Sequence, residues 1–333
     1  VTLIGGHTAD NLGVALPMAV NLGTEVVYAP DQSDVVTLRS EDVAGVAQVS
    51  VSTLDDAGID HVDPPWARYV GAVVAHLRPV LGGAGTISTT LPLGAGLASS
   101  AALEVSVALA LGFRGDALAL ARLCQQVEHT ATGVPTGLID PVTIAVGVEG
   151  CAMLIDFSDL ATRPVPIPGE AEIVIVHSGT ARRLEDTAYA ERRAECEAAA
   201  LELGPLGQAR SSAISQLRDN VIRRRARHVV SECDRVRRFV AALDAGDLPE
   251  AGREMTESHR SVASDYEAST PALDAVVDHL VSMPGVHGAR LTGAGFGGCV
   301  VALASAGAVD CSAFVTRAWS VGAAAGATVA QIE

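Results

Sequence analysis

Residues 91–103 read Leu-Pro-Leu-Gly-Ala-Gly-Leu-Ala-Ser-Ser-Ala-Ala-Leu, combining glycines and hydroxyls with the start of an apolar run. Gly94 and Gly96 let a backbone turn tightly and approach a ligand with no Cβ in the way. The run over 101–111 suits a buried helix. A loop feeding a helix N-terminus aims free N–H groups and the positive end of the helix dipole at an anion, and Ser99 and Ser100 add hydroxyls for phosphate oxygens or a magnesium ion. A plain Gly/Ser turn before a core helix would use the same residues, so other segments must decide. In the segment from Thr132 to Pro141, Asp140 follows Gly137 in apolar surroundings, which is costly for a carboxylate without a partner or a task. Capping a helix that starts at Pro141 is its plainer role. His7-Thr8-Ala9-Asp10-Asn11, packed between two apolar runs, suits either a site lining or a turn. The glycine-rich stretch 288–299 before an apolar strand implies close backbone approach, to a ligand or to another domain.

The rest of the chain limits the chemistry. Its 333 residues, 49% hydrophobic, suit about two domains with real cores. With 39 acids against 23 bases the net charge is −16, which argues against nucleic acid or an anionic membrane surface as the main partner. All 23 bases are arginine. Without lysine, a Walker P-loop, a protein-kinase site and Schiff-base chemistry are all excluded. Any ATP phosphates must therefore be held by amides, hydroxyls, arginine and metal. The six cysteines are scattered, with no zinc spacing, as expected of reduced thiols in a cytoplasmic protein. No signal peptide or membrane span is visible.

Positioning these groups requires strands and helices in alternation. Residues 1–4, 24–29, 34–39, 47–51, 86–91, 151–157, 172–177 and 300–303 read as strands. Helices are expected over 66–77, 101–111, 117–129, 142–146, 185–203, 212–219, 226–245, 247–258 and 271–283. Arg163-Pro-Val-Pro-Ile-Pro168 reads as a proline-stiffened linker, dividing the chain into domains 1–165 and 166–333.

Three stretches together resemble the GHMP small-molecule kinases and, within them, the galactokinases. The serine loop matches the family's phosphate loop, and Gly293, Gly295, Gly297 and Gly298 match its C-terminal glycine motif. Cys124 to His129, Gly137 to Asp140 and Leu154 to Asp156 follow the galactokinase segment, as do Trp66 to Gly71 and Tyr189 to Glu197. The resemblance implies a two-lobed α+β fold with the active site between its N- and C-terminal domains, and an ATP- and Mg2+-dependent kinase that phosphorylates a sugar at its anomeric hydroxyl. It further implies that Gly94, Ala95, Gly96, Leu97, Ala98, Ser99 and Ser100 hold the ATP phosphates, with Trp66 and Tyr69 at the adenine. Ser100 and Glu128 would bind Mg2+, and Asp140 would be the catalytic aspartate facing the sugar's anomeric hydroxyl. His7, Asp10, Gly137 and Tyr189 would contact the sugar. The family's catalytic arginine would precede Val1. The expected partners are a sugar and ATP alone, in a monomer or homodimer.

This chain departs from the family at the sugar end. Galactokinases read Gly-Glu-His-Thr-Asp-Tyr where it reads Gly5-Gly6-His7-Thr8-Ala9-Asp10. Losing two charge-assisted hydrogen bonds costs on the order of 3–6 kcal/mol for a ligand that used both, unless Asp10 takes over. Two small residues in place of large ones suggest room for a sugar extended or modified at its C6 end. Ordinary galactose phosphorylation is the alternative, followed by a silent sugar sensor or a non-sugar GHMP kinase.

Overall fold

The structure, a computed structural model, describes residues 1–52, 56–134, 136–180 and 187–331. In chain order it forms β1 (Thr2–Ile4), β2 (Val14–Pro17), β3 (Thr24–Pro30), β4 (Val35–Ser40), β5 (Val46–Ser50), α1 (Ala67–Leu77) and β6 (Gly83–Thr89). Next come α2 (Ser99–Ala110), α3 (Ala117–Thr132), α4 (Ile139–Val146), β7 (Cys151–Asp156), β8 (Ala161–Pro166), β9 (Ala171–His177) and α5 (Thr187–Leu203). The chain ends with α6 (Asn220–Asp244), α7 (Leu248–Ser261), α8 (Pro271–Val281), β10 (Val286–Leu291), β11 (Cys299–Ser305) and β12 (Ala318–Val321).

Two compact units interleave along the chain. One comprises residues 1–21, 94–97 and 147–325; the other comprises 22–93, 98–146 and 326–333. They cut across a single division at residue 165, because the N-terminal segment is bonded to the C-terminal half: the Thr2 N–H donates to Thr292 Oγ1 at 3.0 Å and the Gly5 N–H to Glu232 Oε1 at 2.9 Å. The first unit has two sheets, ordered β1-β2-β7-β8 and β10-β11-β9-β12. A core including Val174, Val229, Leu273 and Val300 lies between the second sheet and helices α5, α6 and α8. In the second unit the sheet β3-β6-β4-β5, with β4 and β6 parallel, packs its apolar face on α1, α2 and α3.

Local sequence accounts for the boundaries. Asp116 caps α3 by accepting the Ala119 N–H at 2.7 Å, and Gly133 ends it in the left-handed region. Asp219, Asp247 and Thr270 cap α6, α7 and α8 in the same way. The proline linker is a correction: residues 161–166 form β8, an edge strand paired with β7. Pro164 and Pro166 are two residues apart, so their missing N–H groups fall on one side of a strand that has an open edge. The helix expected over 212–219 is a 3-10 turn, Ser211–Gln216. Residues 185 and 186 of the expected fifth helix lie outside the described residues. Among the described residues no helix is long and apolar enough to cross a membrane.

Candidate active site

Helix α2 begins at Ser99 directly after Ala98, whose left-handed backbone (φ 56°) turns the chain into the helix. Among the described residues no side chain caps this end. The first-turn N–H groups are thus available to an external acceptor, in contrast to those of α3, α6, α7 and α8. Gly94 and Gly96 are both left-handed, as the tight turn requires.

One helical turn joins hydroxyl to acids. Ser100 Oγ donates to Glu128 Oε2 at 3.1 Å, and Glu104, four residues on and on the same face of α2, is buried beside Glu128. Burial, then the Glu128 carboxylate and the charge of Asp140, push Glu104 up to about 10, so it carries a proton at neutral pH. Asp140 is exposed in the first turn of α4, where it is part of the helix and not its cap. Tyr69, on α1, is raised to about 12 by burial and by Glu128 and Glu104, which places it beside the acids. Trp66 donates through Nε1 to the Ala44 carbonyl at 3.1 Å and packs on the core of this unit. Gly137 is half-buried just before α4.

Among the described residues no group of three or more His, Cys, Asp or Glu forms a metal cage. Ser100 and Glu128 fit Mg2+ in another way, since that ion takes one or two protein ligands and completes its shell with phosphate oxygens and water. The crowding that leaves Glu104 protonated also favours a cation beside Glu128.

In the first unit, the turn after β1 carries the other candidates. His7, left-handed at φ 63°, stacks on Tyr266 with ring centroids 4.0 Å apart, and Tyr189 lies 6.3 Å away. The Tyr189 hydroxyl donates to Asp10 Oδ2 at 2.6 Å, so two of the expected sugar contacts meet. Beneath this turn, His228 Nε2 donates to the Gly6 carbonyl at 3.0 Å and its Nδ1 accepts from Ser261, fixing the neutral tautomer. Glu232 accepts from the Gly5 N–H at 2.9 Å and from Arg235 Nε at 2.8 Å. The room expected at Gly6 is filled: a Cβ there would lie 2.4 Å from Arg290 Nη2.

The glycine motif packs against residues 94–97, which belong to the same unit. At Gly298, left-handed at φ 83°, a Cβ would stand 3.1 Å from the Ala95 carbonyl oxygen, which accepts from Cys299 Sγ at 3.2 Å. At Gly295 a Cβ would lie 2.2 Å from the Ala268 carbonyl. Gly293 and Gly297 are also left-handed. Sequence reasoning missed Glu104, His228, Glu232, Tyr266 and Arg290. The spacing of Ser100 and Glu104 was a usable signal for the first, and Arg290 lies inside the quoted glycine stretch. The others come from helices with no local mark.

Comparison with known proteins identifies the family: the sequence model "GHMP kinases N terminal domain" matches residues 68–148, and "GHMP kinases C terminal" matches 239–319. Galactokinase of Canis lupus familiaris is 39% identical over 321 residues, covering 92% of this chain and 82% of its own. That of Homo sapiens is 38% identical over 324 residues, with the same coverage. Lactococcus lactis galactokinase complexed with galactose superposes with a TM-score of 0.90 at 28% identity, over 98% of this chain and 92% of that one. The chain belongs to the galactokinase family of GHMP kinases. It is a sugar kinase, transferring a phosphoryl group to an alcohol acceptor, and kinases of this family use ATP with Mg2+.

Proposed function

We propose that this protein transfers the γ-phosphoryl group of ATP to the anomeric hydroxyl of galactose. The Ser100–Glu128 pair at an uncapped helix N-terminus, with Asp140 near enough for its charge to act on Glu104, carries the reading. Phosphoryl transfer needs positioning and charge neutralisation more than covalent chemistry, and these groups supply both. In this scheme the first-turn amides of α2 and the loop from Gly94 to Ser100 hold the phosphates. Ser100 and Glu128 would hold Mg2+, whose charge would offset that of the phosphate oxygens. Trp66 and Tyr69 flank the nucleotide, with Tyr69 on the side of the acids. Asp140 orients the acceptor hydroxyl and takes its proton late, while His7, Asp10, Gly137 and Tyr189 hold the sugar.

Galactose is favoured over an extended or amino sugar by the relatives' names and by two observations. Arg290 occupies the space that Gly6 was expected to open. Asp10, held by Tyr189, supplies an acid one residue from the one replaced by Ala9. A coupled ADP-release assay over a panel of hexoses, with the product identified as the 1-phosphate, tests the proposal. Turnover of galactose is expected. No turnover with any sugar would defeat it in favour of a sensor or a non-sugar kinase.

A further inference from the structure

Arg290, on β10, has no solvent exposure, and its guanidinium is only partly engaged. Nη1 donates to the Thr2 carbonyl at 3.3 Å, whereas Nε and Nη2 have no acceptor among the described residues. Leaving buried charged donors unmet is costly enough to point to a missing acceptor. The two idle nitrogens form one edge of the guanidinium, the fork that takes both oxygens of a carboxylate.

The surroundings agree in charge. The carboxylate nearest in effect, Glu232, already accepts from Gly5, Ser258 and Arg235. Two arginines, Arg235 and Arg290, therefore share one glutamate, and His228 is held neutral by burial, down to about 4. One positive charge is left over. Gly6 is not in the left-handed region, so its backbone does not demand glycine. Arg290 Nη2 stands where a Cβ would be, and as the far end of a flexible side chain it can give way to one. His7, the next residue, is half-buried and stands beside Tyr266 and Tyr189.

We propose that Arg290 receives the carboxylate of an acidic sugar, making a hexuronic acid of galactose configuration a second substrate. This assignment rests on the sugar-holding role given above to His7, Asp10 and Tyr189. The carboxylate enters over the side-chain-free Gly6 and accepts from Nε and Nη2, with a small swing of the flexible arginine end. Phosphoryl transfer at the anomeric hydroxyl is unchanged. A sugar bearing an amino group at that end meets the surplus positive charge and is rejected.

Steady-state kinetics with Mg-ATP on galactose and galacturonate, for the native chain and for Gly6→Glu, provide the test. The native protein is expected to phosphorylate galacturonate with kcat/KM at least equal to that for galactose. Gly6→Glu supplies Arg290 with its own carboxylate, and the ratio of acid to neutral sugar should fall at least tenfold. Turnover of galactose without galacturonate, or an unchanged ratio in a folded variant, overturns the proposal. Thermal shifts decide independently of turnover and of the variant. Galacturonate should raise Tm more than galactose or sodium formate at equal ionic strength. An equal rise with formate would assign Arg290 to a free small anion instead, and no rise with any of them would also reject the assignment. If no sugar is phosphorylated, the kinase reading fails, while the shift still reports on Arg290.

Discussion

Two buried clusters of charge handle a glutamate in opposite ways. Beside Gly5, Glu232 is fully buried, which alone would raise it, yet the charge of Arg290, that of His228 once acid protonates it, the charge of Arg235 and the hydrogen bond from Ser258 draw it down to about 2. It is ionised at every working pH. Beside Ser100, Glu104 is almost as buried but faces Glu128 and Asp140, and is pushed up to about 10. The first cluster carries its own cations and one to spare. The second neutralises one acid with a proton, and Glu128 is the residue proposed above to meet the cation of Mg-ATP. Burial is similar in the two places, so the sign of the neighbouring charges sets the protonation state.

The same exchange at the two sites should therefore give unequal results. Glu232→Gln removes the negative charge shared by two arginines and should destabilise the protein by about 3–5 kcal/mol, as breaking a buried pair does. Chemical denaturation measures this, and a loss under about 1 kcal/mol would contradict the account of the first cluster. In the second cluster the comparable loss is catalytic. Asp140→Asn should lower kcat by about 10³-fold while leaving stability nearly unchanged, as expected for removing a general base. A rate within tenfold of the native chain would sink its proposed role.

Acid should separate the clusters further. His228 is depressed by burial to about 4 from its ordinary 6.5. The folded state therefore favours the neutral ring, and that stability is complete above pH 6.5 and lost as pH falls towards 4. The shift corresponds to roughly 3 kcal/mol. Glu232 extends the loss below pH 4.5, since its folded value is also depressed. Tm followed from pH 7 to 4 should fall, and more gently in His228→Asn. Glu104 contributes with the opposite sign, because a raised carboxyl is stabilised in the folded state below its folded pKa. Its share is complete below pH 4.5 and diminishes as pH rises above that value.

The sequence made one cluster far more legible than the other. Ser99, Ser100 and Asp140 lie in short motifs where glycines and hydroxyls mark a loop-to-helix turn, so local spacing reveals them, whereas Glu128, inside α3, followed only from the family resemblance. Most strands and helices were visible for the same reason: alternation or helical periodicity is a local property. The Arg290 cluster joins the turn after β1 to α6, α7 and β10, and no local pattern relates positions 6, 228, 232 and 290. Gly6 therefore looked like vacated space, when a guanidinium from a distant strand fills it. The prolines of β8 misled similarly, because whether a proline-rich stretch is a linker or an edge strand depends on the pairing partner at Cys151–Asp156.

The smallest effect is expected from Glu104→Gln, and it is the sharpest discriminator. If Glu104 is already protonated, replacing its hydroxyl by an amide changes neither net charge nor volume appreciably, and stability should hold within about 1 kcal/mol. Activity should persist, because Glu128 keeps its charge and its bond from Ser100. Were Glu104 ionised instead, the variant would relieve repulsion with Glu128 and Asp140, raising Tm and weakening Mg2+ dependence together. Comparing Tm and the Mg2+ concentration for half-maximal rate in the native and variant chains separates these cases, since only a neutral Glu104 leaves both unmoved.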